Sequence, residues 1–195
     1  MIVIASKGRP ENVERLFRLL GEDIVFFVHE SERDVYSRFG ARHIETHQIE
    51  GSMAKIRNQI MDKYAKDSWV CMMDDDLRGV LLMAHDKPKR TENRDDILQI
   101  IENGAAIAMD AGAPFFGWSL NPLPFQFYPH DPFRCVAPVA GAIIATPNST
   151  RCDVRLSSFE DVDMVMSALR EKRYVLVDHR FLFDFGGKGI VKKDG

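Results

Sequence analysis

The sequence predicts an α/β fold: one domain on a mostly parallel sheet with helices on both faces, continued by a mixed segment in the same body. Three observations predict it. Short apolar runs of strand length alternate with stretches of helical period through residues 1–84, and repeated strand–helix–strand units pair in parallel because the crossover helix returns the chain to the same edge. The 195 residues are 45% hydrophobic and 28% charged, the balance of a globular chain long enough to bury a core without disulfides or a structural metal. Three adjacent acids, Asp74-Asp75-Asp76, close a buried apolar run, as polar residues do at the C-terminal edge of a parallel sheet.

Taken in order, Ile2–Ala5 reads as a strand. Pro10 stands where a helix can begin, and Val13, Leu16, Phe17 and Leu20 fall on one helical face. Ile24–Val28 is a continuous apolar run of strand length. Ser31, with Asp34 three residues on, has the spacing of a capping box for a short helix. Ile44 lies in a brief extended piece. Ser52 opens a helix with Met53, Ile56, Ile60 and Tyr64 on its apolar face, and Trp69–Met73 is a further buried strand.

The texture then changes. His85–Arg94 is polar, basic and unpatterned, a surface loop; Asp95–Ala111 has helical period; Phe115–Ser119 suits a strand. Asn121–Pro138, rich in Pro and Phe, reads as a long loop. Val139–Ala145 reads as a strand, and Ser158–Lys172 as a helix with Val162, Val165, Met166 and Leu169 inward. Tyr174–Phe185 is a strand or strand pair ending at the Gly186–Gly187 turn. No repeat or linker divides the chain, so residues 1–195 are expected to form a single domain with halves 1–84 and 85–195.

Composition excludes several function classes. A net charge of -3 is not that of a protein wrapped in nucleic acid by bulk charge, although a local basic groove stays open. Three cysteines without CxxC spacing argue against a disulfide framework or a zinc site and suit a reducing cytoplasm. No apolar run approaches the roughly 20 residues of a membrane span, and the N-terminus does not have the pattern of a signal peptide. Neither GxxxxGK[ST], GxGxxG nor GxSxG occurs, which removes support for P-loop, dinucleotide-binding and hydrolase-elbow readings.

Ligands of parallel sheets bind beyond the C-terminal strand ends, which directs attention to Ser6–Arg9, His29–Glu30 and Asp74–Asp76. Three adjacent carboxylates repel one another unless a cation neutralises them, and oxygen ligands suit Mg²⁺ or Mn²⁺; the competing reading is a solvated acidic turn. Phe159-Glu160-Asp161-Val162-Asp163 opens a helix. A carboxylate there suits a general base, while Ser157 with Glu160, or Ser158 with Asp161, suits a capping box. Lys55, Arg57 and Asn58 sit on the first turns of the Ser52 helix, as a phosphate site or as a solvated face. His179 is a late metal ligand or a structural histidine.

These pieces in this order resemble the GT-A class of nucleotide-sugar glycosyltransferases. The matching residues are Ile2–Pro10 with its Ser6-Lys7-Gly8-Arg9-Pro10 run, Arg57-Asn58 ahead of Asp74-Asp75-Asp76, Gly141 between Ala140 and Ala142, and Glu160-Asp161 at a helix start. The resemblance spans roughly residues 2–180. It implies a GT-A-like single domain with a Rossmann-like sheet, in which 1–84 is the nucleotide-binding half and 85–195 the acceptor half with a C-terminal loop. It implies that Ser6, Lys7, Arg9, Glu30, Arg57, Asp74 and Asp75 line the nucleotide-sugar site. Asp74, Asp76 and His179 would hold Mn²⁺ or Mg²⁺, and Asp161 would be the base of an inverting displacement. The fused acids and short length are similar to small phage-type enzymes related to the base J glucosyltransferases. That likeness implies a UDP-sugar donor, a hydroxymethylated pyrimidine in DNA as acceptor, and the cytoplasm (of the host, for a phage) as location. Asp86–Arg90 with Lys188, Lys192 and Lys193 would then meet phosphates, and Phe125, Phe127 or Tyr128 would stack on a flipped base. Two alternatives stay open: a sugar nucleotidyltransferase, for which Ala5–Arg9 is a poor Gly-rich loop, and a non-catalytic DNA-binding module.

Overall fold

The computed structural model describes residues 1–83, 88–120 and 128–186. The first half runs β1 (Ile2–Ala5), α1 (Val13–Leu20), β2 (Val25–His29), α2 (Arg33–Arg38), β3 (His43–His47), α3 (Met53–Tyr64) and β4 (Val70–Asp74). The second runs β5 (Gly79–Leu82), β6 (Lys89–Thr91), α4 (Arg94–Ala111), β7 (Phe115–Trp118), β8 (Phe133–Arg134), β9 (Ala142–Ala145), α5 (Glu160–Lys172), β10 (Leu176–Asp178) and β11 (Phe181–Asp184).

The main sheet has eight strands in the order β3-β2-β1-β4-β9-β7-β10-β8. Its first four strands are parallel. β9 enters antiparallel between β4 and β7, β10 lies parallel to β7, and β8 closes the edge antiparallel. β11, β5 and β6 form a small antiparallel sheet.

Side-chain alternation splits the core between the two faces, because successive strand residues point opposite ways. Ile4, Phe26, Val28, Cys71 and Met73 face one way, against Leu16, Leu19, Tyr36, Ile97 and Ile101 of α1, α2 and α4. Val3, Val25, Phe27, Val70 and Met72 face the other, against Ala54, Ile60 and Met61 of α3 and Met164, Val165 and Ala168 of α5. This is the mostly parallel α/β sheet, covered on both faces, that the alternation of strand and helix predicts.

Several local expectations are corrected. A 3₁₀ turn, Pro10–Asn12, precedes α1. Ser31 caps nothing: its own N–H donates to His29 Nδ1, and Glu32 is the residue before α2. Ser52 does cap α3, accepting from Lys55 N, but the buried face of that helix carries Ala54, Arg57, Ile60 and Met61, leaving Met53 exposed. The stretch taken as a surface loop includes strand β6 and the start of α4. α5 is turned relative to expectation, with Met164, Val165 and Ala168 buried and Val162 and Met166 exposed. Neither capping box forms there: Phe159 precedes the helix at φ +61° and no side chain caps it.

Candidate active site

The C-terminal ends of β1 and β4 converge with the first turns of α3 and α5 on an open cleft of about 510 Å³. Its walls are Ala5, Lys7, Arg9, Met53, Arg57, Asp74, Asp75, Asp76, Ala140, Gly141, Phe159, Glu160 and Asp161. A second, more enclosed pocket of about 230 Å³ adjoins it, sharing Ala5, Lys7 and Met53 and extending along the ends of β2 and β3 to Phe27, His29, His47 and Ile49.

The three consecutive acids take three different environments. Asp75 is buried: its carboxylate accepts from Ser6 Oγ at 2.5 Å and from the Arg9 guanidinium at 2.8 Å. Ser6 in turn lies 2.5 Å from the Tyr36 hydroxyl, which accepts from Arg9 N at 3.2 Å. Ser6, Tyr36, Arg9 and Asp75 thus form one network that holds the loop after β1 against the end of β4. It also raises the Arg9 pKa, chiefly through the hydrogen bond to Asp75. Asp74 and Asp76 line the same cleft with side chains far more exposed than that of Asp75. Burial pushes the Asp74 carboxyl up from its ordinary 3.8 to about 6, with Asp76, Asp75 and Glu160 adding to the rise and Arg57 opposing it. Asp76 is also raised, first by burial and then by Asp75.

Arg57 ties the two helices to the acids. It is buried on α3, its Nε donates to Glu160 Oε1 at 3.2 Å, and its outer nitrogen stands 3.7 Å from Asp74 Oδ1. Asn58, the next residue, exchanges hydrogen bonds with the Cys152 backbone (2.8 and 2.9 Å) and fixes the chain leading into α5. Asp161 lies on the first turn of α5, half-buried on the cleft wall, its Oδ1 accepting from Val162 N. Phe159 is 73% exposed at the same wall. Gly141, at φ +70°, supplies the carbonyl that accepts from Asp74 N at 3.0 Å.

Lys7 lines both spaces, and the other sequence candidates fall further out. Lys7 is exposed and pairs with Glu50 at 3.5 Å. Glu30 is exposed and accepts from Gln48 Nε2 at 2.7 Å; it lines neither cavity. His179 follows β10, three strands from β4 in the sheet, and is absent from the cleft wall. Its N–H donates to Pro132 O, its Nε2 is buried without a partner among the described residues, and burial lowers its pKa. Lys89 and Arg90 lie on β6, where Arg90 pairs with Asp184. Tyr128 is exposed beneath the Arg134 guanidinium. Asp86, Lys87, Phe125, Phe127, Lys188, Lys192 and Lys193 lie outside the described residues.

His47 was missed by sequence reasoning, while His29, Phe159 and Glu160 lay in the segments it singled out but received no role of their own. Glu160 carried a signal, being next to Asp161; His47 carried none, because a histidine ending a polar strand has no spacing partner.

Among the described residues no three His, Cys, Asp or Glu side chains converge as a ready metal site. The donor set nevertheless fits Mg²⁺ or Mn²⁺ completed by a ligand's phosphates, which those ions take with one or two carboxylates. Asp74 and Asp76 both line the cleft; burial first, and then the neighbouring acids, raise the pKa of each, and a cation there would favour the charged carboxylates.

The sequence matches no family model and no curated protein. Its fold does match solved structures of Staphylococcus aureus TarS residues 1–349. The TM-score is 0.56 at 12% identity with the UDP complex, 0.54 at 12% with the UDP-GlcNAc complex and 0.53 at 13% with a third crystal structure of the same TarS fragment. The alignments cover 92% of this chain and only 56–58% of the TarS chains, so the protein described here spans little more than half their length. The chain has a GT-A-like fold. Among the described residues no helix is long and apolar enough to cross a membrane.

Proposed function

We propose that this chain is a metal-dependent glycosyltransferase that moves a sugar from a UDP-sugar to an acceptor hydroxyl with inversion. The observation that carries the reading is the pairing of two adjoining spaces at the C-terminal strand ends: an enclosed pocket lined by rings, and an open cleft lined by Arg57, Arg9, Asp74, Asp76 and Asp161. A nucleoside diphosphate has the same division into an aromatic base and a charged tail. The fold shared with a protein crystallised with UDP and UDP-GlcNAc supports the same donor class.

In this reading Arg57, held by Glu160, offers its outer nitrogens to the diphosphate, and Arg9, held by Asp75, borders it from the β1 side. Asp74 and Asp76 would hold the divalent ion, whose positive charge offsets that developing on the departing diphosphate. Asp161 accepts the proton of the acceptor hydroxyl as its oxygen attacks the anomeric carbon and the bond to the diphosphate breaks. The favoured acceptor is a hydroxymethylated pyrimidine in DNA, which rests on the sequence resemblance alone.

The test is release of UDP from a panel of UDP-sugars with Mn²⁺, with and without an oligonucleotide containing hydroxymethylcytosine or hydroxymethyluracil, with the DNA weighed by mass spectrometry. A mass gain of one sugar that disappears in Asp161→Asn, while UDP still binds, supports the whole reading. Donor cleavage without a DNA product removes the DNA acceptor and keeps the transferase. No UDP release under any condition overturns the transferase.

A further inference from the structure

We propose that His47 is the base-reading residue of the enclosed pocket, its Nε2–H donating to the C4 carbonyl of uracil and selecting uracil over cytosine. The inference rests on the donor reading above and names a determinant within it.

The tautomer follows from the backbone. His47 Nδ1 accepts from Ile49 N at 3.1 Å, so the neutral ring carries its proton on Nε2. Burial and the neighbouring His29 lower the His47 pKa, which keeps the ring neutral and the donor single. The side chain is 7% exposed and its ring stacks on Phe27, with centroids 5.2 Å apart and planes 29° apart. His29 meets its edge at 5.8 Å. The ring is therefore fixed in place, and among the described residues no hydrogen-bond partner is assigned to its Nε2. That atom is not among the sealed, unsatisfied ones, and His47 is one of the residues that line the pocket.

Its neighbours on the pocket wall are already committed. His29 accepts at Nδ1 from Ser31 N, which leaves its Nε2–H for Glu50 at 3.2 Å. Lys7 pairs with the same Glu50, and Ser6 donates to Asp75. Of the two imidazoles lining the pocket, His47 is the one whose N–H has no partner among the described residues; Lys7 also keeps N–H groups beyond its contact with Glu50, on a side chain exposed to solvent.

Sheet order supplies the orientation. β3 is three strands from β4, roughly 14 Å at the usual strand spacing, and the pocket opens toward the acids through Ala5, Lys7 and Met53. A nucleotide with its diphosphate beside Asp74 and Asp76 directs the edge of its pyrimidine farthest from the ribose, the C4 edge, toward β3. Uracil presents a carbonyl there and cytosine an amino group. An amino group would face the Nε2–H donor to donor and leave both without a partner, the situation in which a site built to hydrogen-bond rejects an analogue most strongly.

The experiment is titration of the intact protein with UDP and with CDP in the presence of Mg²⁺, on the wild type, His47→Phe and His47→Gln. His47→Phe keeps a ring on Phe27 and removes the donor; His47→Gln keeps an N–H and covers the case in which the phenylalanine variant does not fold. The expected result is UDP binding about ten- to hundredfold tighter than CDP in the wild type. The preference collapses toward unity in His47→Phe through loss of UDP affinity alone, and part of it survives in His47→Gln. Equal binding of UDP and CDP to the wild type, or an undiminished preference in His47→Phe, overturns the assignment and leaves the donor site standing. Binding of neither nucleotide to the wild type overturns both.

Discussion

Asp74, Asp75 and Asp76 are chemically identical and adjacent, yet their surroundings separate them. Asp75 is buried and takes hydrogen bonds from Ser6 and Arg9, so its removal leaves a buried hydroxyl short of a partner and frees the loop after β1. Asp75→Ala is expected to cost about 1–3 kcal/mol, a fall in melting temperature of roughly 3–10 °C for a domain of this size. Asp76→Ala, which removes a half-exposed carboxylate from a crowded acidic site, is expected to leave the melting temperature within about 2 °C of wild type. Thermal denaturation of the two variants side by side checks this; equal losses would refute the division of roles. Asp74 makes a prediction about pH. Its folded pKa of about 6 lies above the ordinary 3.8, so the native state binds this proton more tightly than the unfolded chain does. Its contribution to stability is therefore present at low pH and is lost as pH rises through that window. Asp74→Asn removes the slope: its melting temperature at about pH 7 should equal or exceed that of wild type, with the advantage gone by about pH 4. Melting curves across that range, compared with wild type, decide it.

At the scale of elements, the site is assembled by contacts between segments far apart in sequence. Arg57 of α3 joins Glu160 of α5 and Asp74 of β4, and Gly141 ahead of β9 holds the Asp74 backbone. Gly141 has φ +70°, and a Cβ there would stand 2.5 Å from the Phe185 ring. Gly141→Ala therefore combines a left-handed backbone with a clash against an aromatic ring. It is expected to destabilise by about 1–3 kcal/mol and to weaken nucleotide binding by shifting Asp74, both readable in one ligand-dependent melting series. Phe159→Gly tests the opposite case: φ +61° on an exposed side chain is relieved by glycine, so the melting temperature should hold or rise. The helix faces were the part least legible in sequence. In α5 the apolar residues Val162, Met164, Val165, Met166 and Leu169 are compatible with more than one inward face, and only the tertiary core picks Met164, Val165 and Ala168. In α3 one of the four buried positions is Arg57, which a hydrophobic period passes over because a charged residue is buried there for its ion pairs.

At the scale of the whole molecule, the fold was largely legible because the strand–helix alternation of residues 1–84 dictates parallel pairing and puts the polar strand ends on one edge. The antiparallel entry of β9 and the small sheet of β5, β6 and β11 were not, since strands of three or four residues far apart in sequence carry no pairing signal of their own. Acids and arginines at strand ends and helix starts announced the charged half of the site. The ring-lined half stayed hidden, because Phe27 and His47 become neighbours only through the β2–β3 register. In the proposed function the two halves together hold a uridine diphosphate with a divalent ion. Thermal unfolding with UDP tests it most directly, run with Mn²⁺ and then with chelator, on wild type and Asp76→Ala. At about a hundred times the dissociation constant bound ligand adds ~2.7 kcal/mol, or roughly 5–10 °C here. That shift is expected for wild type with UDP and Mn²⁺, and its loss with chelator or in Asp76→Ala. No shift with UDP, or an equal shift with chelator and in Asp76→Ala, would contradict it.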